Sequence, residues 1–192
     1  MSQQPVPNPE NEEEEEKTQS WQDYDEGLAL LKKGSLPQAA AAFHNALRGF
    51  EEENDETGIA RAVSRLAEVC LANEEYAKAL EHLERALAIC RAAADDLSIS
   101  YLQKRLFYTH RGLQNYDRAR ELALELLATY QDFNNPAGAV EILEGLSEVQ
   151  QAIGELEKAA DSLRTAAAIH KNFKHQRAAQ ELLARAEALE HC

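Results

Sequence analysis

The chain has 192 residues, 44% of them hydrophobic, and a formal net charge of −14. That length suits one globular or solenoid domain, and the acidic balance argues against nucleic acid and anionic membrane surfaces as partners. Alanine, leucine and glutamate dominate and no apolar run reaches the roughly 20 residues that cross a bilayer, so the class is all-α with no membrane insertion.

Residues 1–19 hold three prolines, a run of five glutamates and almost nothing to bury; they read as a disordered acidic tail, carrying −5 of the −14. The first residues have neither a basic start nor an apolar core, so they do not read as a signal peptide, and a cytoplasmic protein is expected. Helices follow near 20–33, 36–53, 57–72, 75–94, 97–112, 116–132, 136–152 and 155–172. Their starts carry cap signals: Ser35 with Gln38 three residues later, Asn115 before a helix-forming run, and Asn135 before Pro136. A ninth segment, within 174–192, places Leu182, Leu183, Ala186 and Leu189 at helical spacing and is expected to cap the array. Cys70, Cys90 and Cys192 show no metal-ligand spacing and read as reduced thiols. His170 and His175, five apart across a helix break, read as solvated side chains.

Alanine recurs at 39, 79, 119 and 159, a period of 40. The position seven later reads Ala46, Ala86, Leu126 and Ala166; the position four later reads Phe43, Leu83, Ala123 and Leu163. A strict period of this size marks a solenoid whose units bury their apolar faces only by stacking. Twelve residues before each alanine stand Gly27, Ala67, Phe107 and Ser147, three of them small, so paired helices are expected to cross closely. Phe107 is the exception, and Ala123 is the expected source of room for it.

These residues resemble the tetratricopeptide repeat family over about 20–173. The second unit supplies Leu66, Ala67, Tyr76, Ala79, Leu83 and Ala86; the first supplies Gly27, Gly34, Ala39, Phe43 and Ala46; the fourth supplies Leu146, Gly154, Ala159, Leu163 and Ala166. The period is six residues longer than the common 34, as in the longer variant of the repeat. The resemblance implies a right-handed superhelical solenoid of four antiparallel helix pairs, about 20–59, 60–99, 100–139 and 140–173, closed by a C-terminal capping helix at 174–192.

It also implies that the first helix of each pair lines a concave groove. The lining positions would be Trp21, Tyr24, Leu28 and Leu31 in unit one, then Arg61, Ser64, Glu68 and Leu71. Unit three gives Tyr101, Lys104, Tyr108 and Arg111, and unit four gives Glu141, Glu144, Glu148 and Gln151. The partner-binding candidates among them are Trp21, Tyr24, Arg61, Tyr101, Lys104, Tyr108, Arg111, Glu141, Glu144 and Glu148. Two readings of the charges stand together: Lys104 and Arg111 select an acidic segment while the glutamates select a basic one, or the two sets pair with each other across adjacent helices. The clamp by which chaperone-binding members hold a C-terminal carboxylate is not matched, because no lining position is asparagine. No phosphate loop, zinc motif or nucleophile elbow is present, so no enzyme activity, cofactor or metal is expected. The expected function is a non-enzymatic adaptor that binds a peptide segment or partner protein; the alternatives are a self-associating homo-oligomeric scaffold and a peptide-responsive sensor.

Overall fold

Every twentieth residue from 34 to 174 has a positive φ: Gly34, Asn54, Glu74, Ala94, Gln114, Asn134, Gly154 and Lys174, between 49° and 80°. The structure, a computed structural model, describes residues 17–191; the acidic tail through Glu16 and Cys192 lie outside the described residues. Each left-handed residue ends one helix. The amide of the residue after it donates back to the carbonyl five residues earlier, as Glu75 does to Cys70 (2.8 Å) and Asn135 to Tyr130 (2.8 Å). That is the long bond of the Schellman closure. The same residue's carbonyl then accepts the first bond of the next helix, from Ala79 to Glu75 (3.0 Å) and from Ala139 to Asn135 (3.1 Å). One residue therefore finishes a helix and starts its successor.

The result is nine described helices: α1 (Gln19–Lys32), α2 (Leu36–Glu53), α3 (Glu56–Ala72), α4 (Tyr76–Ala92), α5 (Asp96–Gly112), α6 (Tyr116–Asp132), α7 (Pro136–Ala152), α8 (Leu156–Asn172) and α9 (Gln176–Glu190). From α3 to α8 every helix has 17 residues. Each helix packs on its neighbours in sequence, and α1 also touches α3 as α5 touches α7. No strand occurs among the described residues. This is an all-α superhelical repeat, with four helix pairs and a terminal helix. The 40-residue repeat read from the sequence is two helix-plus-turn units of 20.

The side-chain caps follow the two kinds of turn. Asp55, Asp95 and Asn135, which join one pair to the next, accept from the amides of Gly58, Ser98 and Gly138. Ser35 and Asn115, inside a pair, make no such bond, contrary to the sequence expectation. Their ψ angles are 65° and 70°, below the 77–88° of the three capping residues, and the Asn115 amide turns to His110 Nδ1 instead (3.5 Å). The Schellman closure serves as the common stop signal, and capping side chains are added only between pairs.

Small residues set how closely the helices cross. Ala39, Ala79, Ala119 and Ala159 are all fully buried. A methyl group on Gly27 would lie 2.5 Å from the Phe43 ring, so α1 and α2 meet only because that group is missing. Phe107 is fully buried, and its ring lies over Gly145 of α7, where an added methyl would stand 2.7 Å away. Room for this large residue comes from the next pair, through Gly145. The core runs along the array in two clusters that meet at α7, which sends Ile142 and Leu146 into one and Val140 and Leu143 into the other. In the second, α9 contributes Ala179, Leu182 and Ala186, which cover the last pair.

Three substitutions test this account. Phe107→Ala should lower unfolding stability by about 3–5 kcal/mol in a urea titration, because the cavity opens between two pairs. Ala94→Gly should raise stability, and Gly154→Ala lower it, each by about 1 kcal/mol, since both residues sit in the left-handed region where a Cβ is strained.

Candidate interaction face

The odd-numbered helices present one polar face, and side chains bond across each interface between them. Tyr24 of α1 accepts a hydrogen bond from Arg65 Nε of α3 (3.2 Å). Glu68 of α3 takes the Tyr101 hydroxyl of α5 and the guanidinium groups of Arg65 (2.8 Å) and Arg105 (3.0 Å). On α5, Lys104 pairs with Glu141 of α7 (2.9 Å) and Tyr108 donates to the same carboxylate (2.8 Å). Arg111 pairs with Glu148, and Glu144 is taken by Arg185 of α9. The partners across repeats lie 33, 37 or 41 residues apart, steps of about one helical turn around the 40-residue period.

Rings support the cations. Arg105 stacks over Tyr101 and Arg111 over Tyr108, each 5.1 Å from the ring centre. Arg61 stacks over Trp21 at 5.3 Å. Trp21 in turn packs edge-on against Phe50 and Tyr24, at 4.8 and 5.6 Å between ring centres. These contacts fix guanidinium groups that would otherwise swing freely in solvent.

The electrostatics follow from this pairing. Burial by itself would raise the Glu68 carboxyl, but bonds from Tyr101 and Arg65 and the nearby Arg105 charge hold it below the usual carboxylate range. Glu141 behaves in the same way, with Lys104 and Tyr108 as its donors. Burial and the bond to Glu141 push the Tyr108 phenol upward, so it remains a donor.

Of the ten candidates, Lys104, Tyr108, Arg111, Glu141 and Glu148 converge between α5 and α7. Trp21, Tyr24, Arg61 and Tyr101 lie around α1, α3 and α5, and Glu144 is joined to α9. Tyr24 is a buried core residue whose hydroxyl reaches the face. The cations and glutamates pair with each other, the second of the two readings. Arg65, Arg105 and Arg185 belong to this face too, outside the ten candidates. Their signal was the repeat offset, since 65 and 105 are 40 apart and face Glu68 from both sides.

Elsewhere, an apolar opening of about 380 Å³ lies between α6, α7 and α8, lined by Leu127, Tyr130, Pro136, Ala139, Leu143 and Ile169. Half-buried His170 and exposed His175 approach to 3.3 Å between Nδ1 atoms. No cluster of three or more His, Cys, Asp or Glu side chains could hold a metal among the described residues. No described helix is long and apolar enough to cross a membrane.

Stacked helix pairs presenting a shared side-chain face define a helical-repeat solenoid. Residues 23–92 match the tetratricopeptide repeat, so the first two pairs carry that repeat in sequence as well as in shape. The fold of the described chain is that of solved proteins of this kind. The apo form of RapI superposes with a TM-score of 0.78 at 19% identity, over 90% of this chain and 64% of RapI. The nearly identical TPR-like repeats of a kinesin-light-chain-type protein from Podosopora anserina give 0.76 at 19% identity, over 89% of this chain and 86% of that one. A Rap protein complexed with Competence and Sporulation Factor gives 0.65 at 17% identity, over 90% of this chain and 49% of the other. No curated protein sequence matches the chain.

The Glu68 cluster makes stability depend on pH. A carboxyl held below its unfolded value stabilises the fold above that value, and the effect is lost as pH falls through the folded one. Glu68→Gln should therefore cost about 2 kcal/mol near neutrality. The gap in melting temperature between wild type and variant should close as pH drops through the carboxylate range in a series of thermal melts.

Proposed function

We propose that the protein is a non-enzymatic adaptor whose odd-helix face forms a concave groove for a peptide segment or partner protein. The observation that carries this reading is the run of aromatic and cationic side chains from Trp21 to Arg111 on one face. Arg, Tyr and Trp are the residue types that dominate binding energy at interfaces. The similarly folded Rap protein solved with Competence and Sporulation Factor gives the reading support from outside the chain. Lys104, Arg111, Glu141 and Glu148 reach a ligand by exchange: a ligand carboxylate replaces a glutamate, and a ligand cation takes the glutamate released.

A second reading, self-association, draws on Phe133 and Phe173. They stand at equivalent turns and are each 55% exposed. Light scattering over a concentration series separates the two readings, since an adaptor stays monomeric.

The direct test is to select peptides against the full chain from a random display library and measure them by calorimetry. Tyr108→Ala and Arg111→Ala should each weaken binding by about 1–3 kcal/mol with the fold intact. Arg85→Ala, on the outer face where Arg85 pairs with Glu51 of α2, should leave it unchanged. Loss of binding on the outer face with retention at Tyr108 and Arg111 would overturn the groove reading.

A further inference from the structure

Arg61 stands outside the paired seam. Arg61 is exposed and stacks on Trp21, yet none of the ion pairs among the described residues includes it. It borders a pocket of about 250 Å³ between α1, α3 and α5, together with Arg65, Ser64, Ser98, Tyr24 and Tyr101. Arg61 and Arg65 are one helical turn apart on α3, so both guanidinium groups reach the same opening.

The donors there are only partly used. Arg65 spends Nε on Tyr24 and Nη1 on Glu68, leaving Nη2. Tyr24 accepts from Arg65, and among the described residues no acceptor takes its own hydroxyl proton. Tyr101 is committed to Glu68 and Ser64 to the Ala60 carbonyl. Around the opening, Arg61, Arg65 and Arg105 stand against Glu68 and Asp95, whose carboxylate is held by Ser98 and feels the Arg61 charge. This is a local positive excess in a chain of net charge −14.

We propose that this pocket binds a carboxylate of a peptide ligand, with the Arg61 guanidinium as its primary partner and Arg65 Nη2 and the Tyr24 hydroxyl as supporting donors. A fork of parallel N–H groups matches the two oxygens of a carboxylate, and the Trp21 ring holds that fork at the rim without neutralising it. The inference rests on the groove reading and moves anion selection within it. Lys104 and Arg111 are already neutralised by Glu141 and Glu148, whereas Arg61 needs no exchange. Burial of the Tyr24 ring and the Glu68 pairs hold the pocket wall in place before any ligand arrives.

The chain contains a single tryptophan, and it lies under Arg61, so its emission reports on the site. The probes are two short blocked peptides. One carries a glutamate side chain with an amidated C-terminus, and the other carries only glycines with a free C-terminal carboxylate. Both are titrated into the full chain against sodium chloride and inorganic phosphate at matched ionic strength. A saturable change in Trp21 emission with a peptide carboxylate is expected, and the better of the two peptides identifies the source as side chain or terminus.

Arg61→Gln should weaken that probe at least tenfold and Arg61→Lys severalfold, with unchanged thermal melts, while Arg85→Gln on the outer face should have no effect. A response equal to that of sodium chloride, saturation by phosphate alone, or full affinity in Arg61→Gln would each overturn the proposal. The groove reading fails separately. If the probes bind normally but display-selected peptides ignore Tyr108→Ala and Arg111→Ala, the pocket stands and the groove does not. If selected peptides lose affinity in those variants but not in Arg61→Gln, the groove stands and the pocket falls.

Discussion

The structure depends on a turn of three residues that repeats without change. A 17-residue helix, a left-handed residue near its end and a shared capping residue make a unit of 20, and the unit occurs from α3 to α8 without insertion. Only Gly34 and Gly154 meet the left-handed conformation without strain. Asn54 and Asn134 tolerate it, whereas Glu74, Ala94, Gln114 and Lys174 adopt it at a cost of about 1 kcal/mol each. Tertiary packing must outweigh that cost at each of these turns. It does so by burying the alanine stripe and the large side chains set between the stripes, such as Phe43, Phe107 and Leu163.

A constant unit has an electrostatic consequence. Because each odd helix is displaced from the next by the same amount, side chains one turn apart in repeat phase meet across every interface. The bonds from Tyr24 to Arg65 and Glu144 to Arg185 span 41 residues and those from Glu68 to Arg105 and Lys104 to Glu141 span 37, so two offsets about a helical turn apart serve four interfaces with different chemistry. Exposed ion pairs contribute little singly. The Glu68 cluster differs, because its carboxylate is mostly buried and takes three donors. It ties α3 to α5 where the pocket opens, so the wall of the candidate site and the rigidity of the array come from the same contacts.

Much of the fold was legible in the sequence because alanine at 39, 79, 119 and 159 repeats in register with Phe43, Leu83 and Leu163. Burial of small and large residues leaves a periodic trace. Hydrogen-bonded turns leave a weaker one. Ser35 and Asn115 have the composition of capping residues but not the backbone angle, and nothing local to either residue announces that. The unit of 20 was hidden because six of its eight left-handed residues are not glycine. At the face, residue types and helical spacing identified Tyr108 and Arg111. The partners of charges were harder to read, because each side chain chooses among several offsets in the repeat. Glu81 stands four before Arg85 on α4, yet Arg85 pairs with Glu51 on α2. Arg61 looked like its neighbours in sequence and differs only in what surrounds it.

The shared capping residue also governs how such a chain can change length. One residue inserted within a helix rotates the rest of that helix by about 100° about its axis. The alanine stripe would leave its groove, and each cross-repeat bond downstream would lose register. The array thus behaves like a one-dimensional crystal, in which a single insertion is a dislocation felt at every later site. Growth or shortening without such a fault proceeds in whole units of 20, and pairing of odd and even faces is kept only in multiples of 40. Arg185 of α9 already stands where a fifth pair would present its side chain to Glu144. The ninth helix is thereby a lattice position in the register of the array, with its polar side turned outward.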